Sequence, residues 1–361
     1  MLNKIGWLGF VLLGVFAYAY LSFNPINEPK ILDPPLKTLA QNNGIELGNH
    51  AIYTRIQEPA YKNILVSQHS FVLLDNTPNW HFNGYDLRPA KDKYDFSEMD
   101  ELVSFAKKNN MEMQAHHLLW GEQKWLPDWL KNGNYSKQEL DAIIKDHIYT
   151  VAGRYKGQIR EWTVVNEPFT RAEHLYGLND WWADNTDSQE YIDKAFIWAH
   201  EADPNAKLLI NDFNTEYDNK ISDAMYDYVK SAKKRGIPID GAGFQMHIDG
   251  SNPPKRQEVV DNFKRFADLG VGVYVTEFDV NMADVKANYN KKAEIEAGIY
   301  YDMIKACIDS HVCKSFAFLG ITDKETWYNY MGIKQPMPLM FDENYTPKPA
   351  YFSVYKALSS N

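Results

Sequence analysis

Apolar runs and helix-like patterns alternate along most of the chain. The segment that begins at Ser97 carries apolar residues at i, i+3, i+4 and i+7, which is typical of a helix. Capping-box patterns at Ser97 and Ser136 predict helix starts. Further helices are predicted near 188–202, 219–234, 256–269 and 291–309. The apolar runs predict strands at 44–52, 70–76, 111–120, 159–167, 206–213, 241–248, 272–280 and 315–323.

Eight strands separated by helix-length segments predict an α/β fold with a parallel sheet covered by helices. Eight such units in about 310 residues fit a (β/α)8 TIM barrel. A doubly wound open sheet is the alternative, but it would usually carry a glycine-rich nucleotide-binding turn, and the sequence has no G-x-G-x-x-G. No repeat or linker divides residues 30–361, so 25–361 is predicted to form one catalytic domain.

The first 24 residues differ from the rest of the chain. Lys4 is the only charged residue before an uncharged, largely apolar run over 5–23. Small residues at Ala17 and Ala19 offer a cleavage site for a signal peptidase. The run is also long enough for an uncleaved membrane anchor. Both alternatives predict an exported protein that is secreted, periplasmic or anchored facing outward.

The net charge and the number of cysteines exclude some classes of protein. The 361 residues carry 38 basic and 48 acidic side chains, a net charge of −10, which argues against a nucleic-acid partner. Two cysteines exclude a disulfide-dense scaffold. Cys307 and Cys313 are close enough in sequence to form a disulfide in an exported protein, and two buried thiols are the alternative. No histidine spacing suggests a metal site. We expect no cofactor and a monomer.

Polar residues close each predicted strand, where a barrel places its active site. Glu167 and Glu277 end the fourth and seventh strands, so they would face each other across the barrel mouth. Glycoside cleavage needs such a carboxylate pair, one to protonate the leaving oxygen and one to attack the anomeric carbon. Two rim carboxylates held by arginines are the alternative. The strand-end residues are Asp75, Asn76, His116, His117, Asn166, Glu167, Asn211, Asp212, Gln245, His247, Glu277, Asp279 and Asp323.

Several of these stretches resemble glycoside hydrolase family 10, mainly endo-β-1,4-xylanases. EWTVVNEPF, GFQMHI, YVTEFDV and FDENYTPKPAY occur in the family's order, and the resemblance runs from about residue 46 to 356. It implies that Glu167 is the acid/base and Glu277 the nucleophile. It also implies that Asn166 binds the sugar 2-hydroxyl, that His247 hydrogen-bonds Glu277, and that Asp279 orients His247.

The resemblance further implies a set of substrate-binding residues and a disulfide between Cys307 and Cys313. The substrate is expected to be a polysaccharide or oligosaccharide. The implied substrate-binding residues are Asp75, Asn76, Asn79, Trp80, His116, Trp120, Gln123, Gln245 and Trp327.

Some positions depart from the family pattern, two of them, Asp75 and Asn79, at the distal glycone subsite. Asp75 stands where the family has Glu, Asn79 where it has Lys, Thr163 where it has Asp, and Leu319 where it has Trp. The sequence therefore predicts a retaining, endo-acting hydrolase of β-1,4-xylan, with decorated xylan as a candidate substrate. The alternatives are a retaining β-glycosidase that acts on another β-linked glycan or from chain ends, and a non-catalytic glycan-binding barrel.

Overall fold

The structure is a computed structural model that describes residues 31–75, 78–81, 84–169, 181–187, 190–324 and 326–360. The predicted leader 1–24, Asn76 and the side chain of Asp75 lie outside this description. None of the helices in the described part of the chain has the length and hydrophobicity that a membrane span requires.

The described strands form a closed parallel barrel. The order around the sheet is β6-β5-β4-β3-β2-β1-β9-β8-β7, and pairing of β6 with β8 completes the circle. Every strand pair is parallel, which confirms the predicted (β/α)8 barrel. The strands are β1 (Glu46–Ala51), β2 (Phe71–Asp75), β3 (Glu112–Trp120), β4 (Glu161–Asn166), β5 (Lys207–Asp212), β6 (Gly241–Phe244), β7 (His247–Asp249), β8 (Gly272–Asn281) and β9 (Cys313–Phe318).

The strand predicted over 241–248 is interrupted. Gln245 and Met246 separate β6 from β7, and Met246 has a left-handed backbone with φ of 60°. The short β7 continues the course of β6 and pairs with β8, so β6 and β7 together fill one of eight barrel positions. The interruption directs the side chains of Gln245 and His247 towards the barrel mouth.

Helices cover the outside of the barrel. Each presents an apolar face inward; α8, for example, buries Met225, Val229 and Ala232. The helices are α1 (Leu36–Asn42), α2 (Pro59–Gln68), α3 (Ser97–Lys108), α4 (Asp128–Lys131), α5 (Lys137–Arg154), α6 (Trp181–Asn185), α7 (Glu190–Ala202), α8 (Lys220–Lys234), α9 (Arg256–Ala267), α10 (Tyr289–Ser310), α11 (Trp327–Tyr330) and α12 (Pro349–Ser359). A 3-10 turn spans Gln123–Trp125.

The two predicted capping boxes have different outcomes. Ser136 caps α5 and exchanges hydrogen bonds with Glu139, as predicted. The prediction at Ser97 is wrong, because Ser97 is already the first helical residue of α3 and Phe96 precedes it. The backbone N–H of Ser97 is bound instead by the Asp95 carboxylate, at 2.9 Å.

Small and large residues alternate inside the barrel. A Cβ on Gly48 would lie 2.3 Å from the ring of Phe71, so only glycine fits opposite that ring. Phe71, Leu73 and Ala317 form a small buried cluster. At the outer wall, Cys307 of α10 and Cys313 of β9 lie at a distance that allows a disulfide, with their Cα atoms 5.2 Å apart.

Candidate active site

Glu167 follows the last residue of β4 with an unusual backbone. Its φ is 56°, in the left-handed region that costs a non-glycine residue about 1–2 kcal/mol. Two hydrogen bonds to β5 hold this turn. The Glu167 N–H is donated to the Asn211 carbonyl at 2.8 Å, and the Phe169 N–H to the Asp212 carboxylate at 2.8 Å. The strained turn therefore fixes where the Glu167 side chain projects.

The Glu167 carboxyl group lies between two neutral donors. Trp120 donates its indole N–H to Oε2 at 2.9 Å, and Gln245 donates its amide to Oε1 at 3.1 Å. Burial raises the pKa of Glu167 to about 7, although the Gln245 hydrogen bond opposes the shift. The negative charge of Glu277 raises this pKa as well. Glu167 is therefore protonated below neutral pH.

Glu277 lies within β8 and is 7 % exposed. Its Oε1 is 2.8 Å from the Asn211 amide and 3.3 Å from His116 Nε2, and its Oε2 is 3.5 Å from His247 Nε2. Burial would raise the pKa of this carboxyl, but His116 and His247 outweigh it and hold the pKa well below its usual range. Glu277 is therefore ionised.

The carboxylate of Asp279 is the main group that keeps His247 positively charged. The two side chains meet at 3.0 Å between Nδ1 and Oδ1, and Asp279 is fully buried. Burial lowers the pKa of His247, but the Asp279 carboxylate outweighs it and the pKa rises to about 10. Asp279 also accepts the Trp327 indole N–H at 2.7 Å and the Tyr328 hydroxyl at 3.0 Å. This set of donors fixes the carboxylate that orients His247.

Asn211, at the end of β5, joins the two glutamate-bearing strands. Its amide nitrogen lies 2.7 Å from Asn166 Oδ1 and 2.8 Å from Glu277 Oε1. Its oxygen accepts the Thr276 hydroxyl at 2.7 Å. The predicted set of site residues did not include Asn211, although its position at a strand end had marked it. Tyr328 was missed too, and no local pattern distinguishes it.

The rings of His116 and His117 meet edge-on, with centroids 4.7 Å apart, but their other partners differ. His116 Nδ1 lies 3.2 Å from the Thr163 hydroxyl, while its other nitrogen faces Glu277. His117 is buried against the Trp120 ring, and burial holds its pKa well below the usual value. Within the described ranges, no group of three or more His, Cys, Asp or Glu side chains is arranged to hold a metal ion.

Two predicted sugar contacts need correction. Trp80 is fully buried, stacks on His147 and donates its indole N–H to the Leu118 carbonyl, so it is a core residue. Asn79 is 1 % exposed, and its amide bonds the backbone of Trp80 and His81 in its own loop. Burial in the wall behind the barrel mouth takes both side chains out of reach of a substrate.

The remaining predicted contacts lie in different places. Trp327 packs against His247, with ring centroids 5.0 Å apart, and so lies beside the side chains that face Glu277. Gln123 is exposed in the 3-10 turn after β3. Asp75 ends β2 beside His116 in the strand register.

The barrel mouth thus holds a protonated carboxylic acid just after β4 and an ionised carboxylate within β8. One can give a proton to a leaving oxygen while the other attacks carbon, which is the chemistry of retaining glycoside hydrolases.

Comparison with known proteins agrees with this class. Residues 35–357 match Glycosyl hydrolase family 10, and the chain belongs to that family. It is 37 % identical to endo-1,4-beta-xylanase B of Thermotoga neapolitana over 89 % of this chain and 91 % of that protein. The solved structure of Thermotoga petrophila xylanase 10B in complex with xylobiose has a TM-score of 0.83 at 33 % identity, and the match covers 91 % of this chain and 98 % of that one.

Proposed function

We propose that this protein is a retaining endo-β-1,4-xylanase in which Glu277 is the nucleophile and Glu167 the acid/base. The observation that carries the proposal is the opposite protonation of the two glutamates. Neutral donors surround Glu167, whereas imidazoles flank Glu277. The names of the family relatives, endo-1,4-beta-xylanases of Thermotoga neapolitana and Dictyoglomus thermophilum, support xylan as the substrate.

In the first step, a Glu277 oxygen forms a bond to the anomeric carbon as the glycosidic bond breaks. The proton of Glu167 passes to the departing oxygen, so the leaving sugar departs as a neutral alcohol. In this proposal Asn166, as the family resemblance implies, binds the 2-hydroxyl of the reacting sugar. The negative charge of Glu277 is lost in the ester, and one cause of the raised pKa of Glu167 disappears with it.

In the second step, Glu167 acts as a base. It takes a proton from a water molecule whose oxygen attacks the anomeric carbon, and the bond to Glu277 breaks. Both carboxyl groups return to their starting protonation states. The two inversions leave the product with the β configuration of the substrate.

The test uses the chain without residues 1–24 on plain and decorated β-1,4-xylan, with β-glucan and mannan as controls. Glu167→Ala and Glu277→Ala are run alongside. We expect internal cleavage of xylan, β-configured products by NMR at early times, and loss of activity in both variants. Products released singly from chain ends would contradict endo action. Activity confined to another glycan would contradict the substrate, and binding without hydrolysis would contradict the enzyme.

We also propose that the protein is exported, through residues 1–24 as a signal peptide or a membrane anchor over 5–23, and acts as a monomer. The charge pattern of the leader supports export. Oxidation of Cys307 and Cys313 fits an oxidising compartment, and all site residues come from one barrel. Expression of the full chain tests this. A mature protein that starts near residue 25 indicates cleavage, full-length protein in the membrane fraction indicates an anchor, and soluble cytosolic protein contradicts export.

A further inference from the structure

His50 is a buried histidine that the predicted site did not include. It lies in β1, is 1 % exposed, and stands two residues after Gly48. Alternate residues of a strand share a face, so His50 points to the barrel interior, as Gly48 does against Phe71. An imidazole in this position is surrounded by the barrel wall and lies close to the strand ends.

The His50 side chain links β1 to β8, two strands that are not neighbours in the sheet. Its Nε2 lies 3.1 Å from the carbonyl oxygen of Thr276 in β8, whereas β1 pairs in the sheet with β2 and β9. A carbonyl oxygen can only accept, so His50 Nε2 carries the hydrogen and donates it. The hydrogen bond therefore crosses the barrel, past β9, and ends on the residue before Glu277.

Thr276 is held from a second direction. Its hydroxyl is donated to Asn211 at 2.7 Å, and the Asn211 amide in turn lies 2.8 Å from Glu277 Oε1. Thr276 is therefore hydrogen-bonded from two strands: His50 of β1 binds its carbonyl oxygen, and Asn211 of β5 binds its hydroxyl. The backbone position of Glu277 follows from both contacts.

His50 also touches one of the imidazoles at Glu277. Its ring meets the His116 ring edge-on, with centroids 5.9 Å apart and planes at 67°. His116 Nε2 lies 3.3 Å from Glu277 Oε1. A side chain that packs against His116 limits the rotation of that ring, and so fixes the direction of its nitrogen.

We propose that His50 is a positioning residue for the nucleophile. It acts through the Thr276 carbonyl and the His116 ring, and it does not touch the reacting atoms itself. This inference rests on the proposed function. Because enzymatic rates depend steeply on the placement of reacting groups, loss of the His50 contacts is expected to lower kcat about tenfold to a hundredfold.

The test compares a donor-retaining variant, His50→Gln, with two variants without a donor, His50→Leu and His50→Ala. His69 provides the matched control: it is 1 % exposed, and its Nδ1 lies 3.1 Å from the Leu65 carbonyl. His69→Gln and His69→Ala disturb a buried histidine without touching Thr276. The substrate is 2,4-dinitrophenyl xylobioside, whose leaving group departs without protonation, so its release in the first turnover reports on the nucleophile.

We expect His50→Leu and His50→Ala to slow the first release of dinitrophenol tenfold or more, with KM changed less than threefold. His50→Gln should recover most of this loss. The His69 variants should stay within threefold of wild type, whatever their melting temperatures. The inference would be overturned if the His50 and His69 variants released the first dinitrophenol at equal rates. It would also be overturned if His50→Gln were as slow as His50→Leu or His50→Ala while the slower variant was folded. If wild type released no dinitrophenol, the proposed function would fail and the inference with it.

Discussion

Glu167 and Glu277 are the same residue type in opposite electrostatic settings. The pKa of Glu167 is raised to about 7, whereas that of Glu277 is held well below its usual range. Burial raises the pKa of both carboxyl groups, so burial alone cannot explain why the two pKa values differ. The difference lies in the hydrogen-bond partners: an indole and an amide at Glu167, two imidazoles at Glu277. The neighbours decide which carboxyl is the acid.

The interactions that position Glu167 also differ in kind from those that act on Glu277. The position of Glu167 is set by backbone hydrogen bonds around a left-handed turn. Glu277 depends on a chain of charges, in which Asp279 keeps His247 protonated and His247 faces the carboxylate. Substitutions that change charge without changing shape should therefore affect Glu277 more than Glu167.

The largest effect is expected from Glu277→Ala. Loss of the nucleophile should lower kcat/KM by about 10⁴-fold or more on every substrate, whatever its leaving group. Azide can enter the vacated space and attack directly. The expected product is an α-glycosyl azide, which NMR identifies.

The matched experiment is azide with Glu167→Ala and a dinitrophenyl glycoside. Here the glycosyl-enzyme still forms on Glu277, so the azide product should be β. A β product from Glu277→Ala would mean that the two roles are reversed.

Glu167→Gln should have the second largest effect, and that effect should depend on the leaving group. On xylan the loss is expected to be about 10²–10⁴-fold, because proton donation is missing. On dinitrophenyl xylobioside, formation of the glycosyl-enzyme should be nearly unchanged. In wild type, kcat/KM should fall as pH rises through about 7, where Glu167 loses its proton, and the variant should lack this limb. An unchanged basic limb in the variant would assign it to another group.

Asp279→Asn should give a smaller loss, about tenfold to a hundredfold in kcat at pH 7.5. Without the carboxylate, only Glu277 still raises the pKa of His247, so this pKa falls from about 10 and less of the ring is charged at that pH. Glu277 then loses part of the positive charge beside it. The measurement is kcat/KM against pH, and part of the lost activity should return as acid recharges His247. A loss that is independent of pH would indicate a structural defect instead.

The smallest effect is expected from Tyr328→Phe, about twofold to fivefold. It removes one of the hydrogen bonds to Asp279 and keeps the ring beside Trp327. With one donor fewer, the Asp279 carboxylate holds the His247 ring less firmly, and the measurement is kcat on xylan against pH, where the loss should be similar at every pH. Tyr330→Phe, at an exposed tyrosine in the same short helix, is the control and should leave the profile unchanged.

The barrel was predictable because its strands are buried on both faces and appear as continuous apolar runs. The break at Gln245 and Met246 was not, since apolar residues lie on both sides and a left-handed backbone depends on tertiary contacts. The cap at Ser136 was correct and that at Ser97 was not. Both carry the same short pattern, so the pattern alone does not fix the first helical residue.

The candidate site shows the same division. Glu167 and Glu277 stood out because each follows or ends an apolar run, although their roles stay predictions until tested. Asn211, Tyr328 and His50 act through partners distant in sequence, such as Asp279 and Thr276, and no local pattern shows such contacts. The prediction that Trp80 contacts the substrate was wrong because a match to a family motif does not show which side chains pack around a residue.

Barrel closure has a consequence for how the protein is made. The first described strand, β1, pairs with the last, β9, so Gly48 meets Ala317, which lies 269 residues further along the chain. Contacts of such long separation form slowly, and these cannot form until the strand at Cys313–Phe318 has been synthesised. The barrel therefore cannot close before that last strand has left the ribosome. A translocation channel that accepts extended polypeptide would meet a chain whose own topology delays its folding.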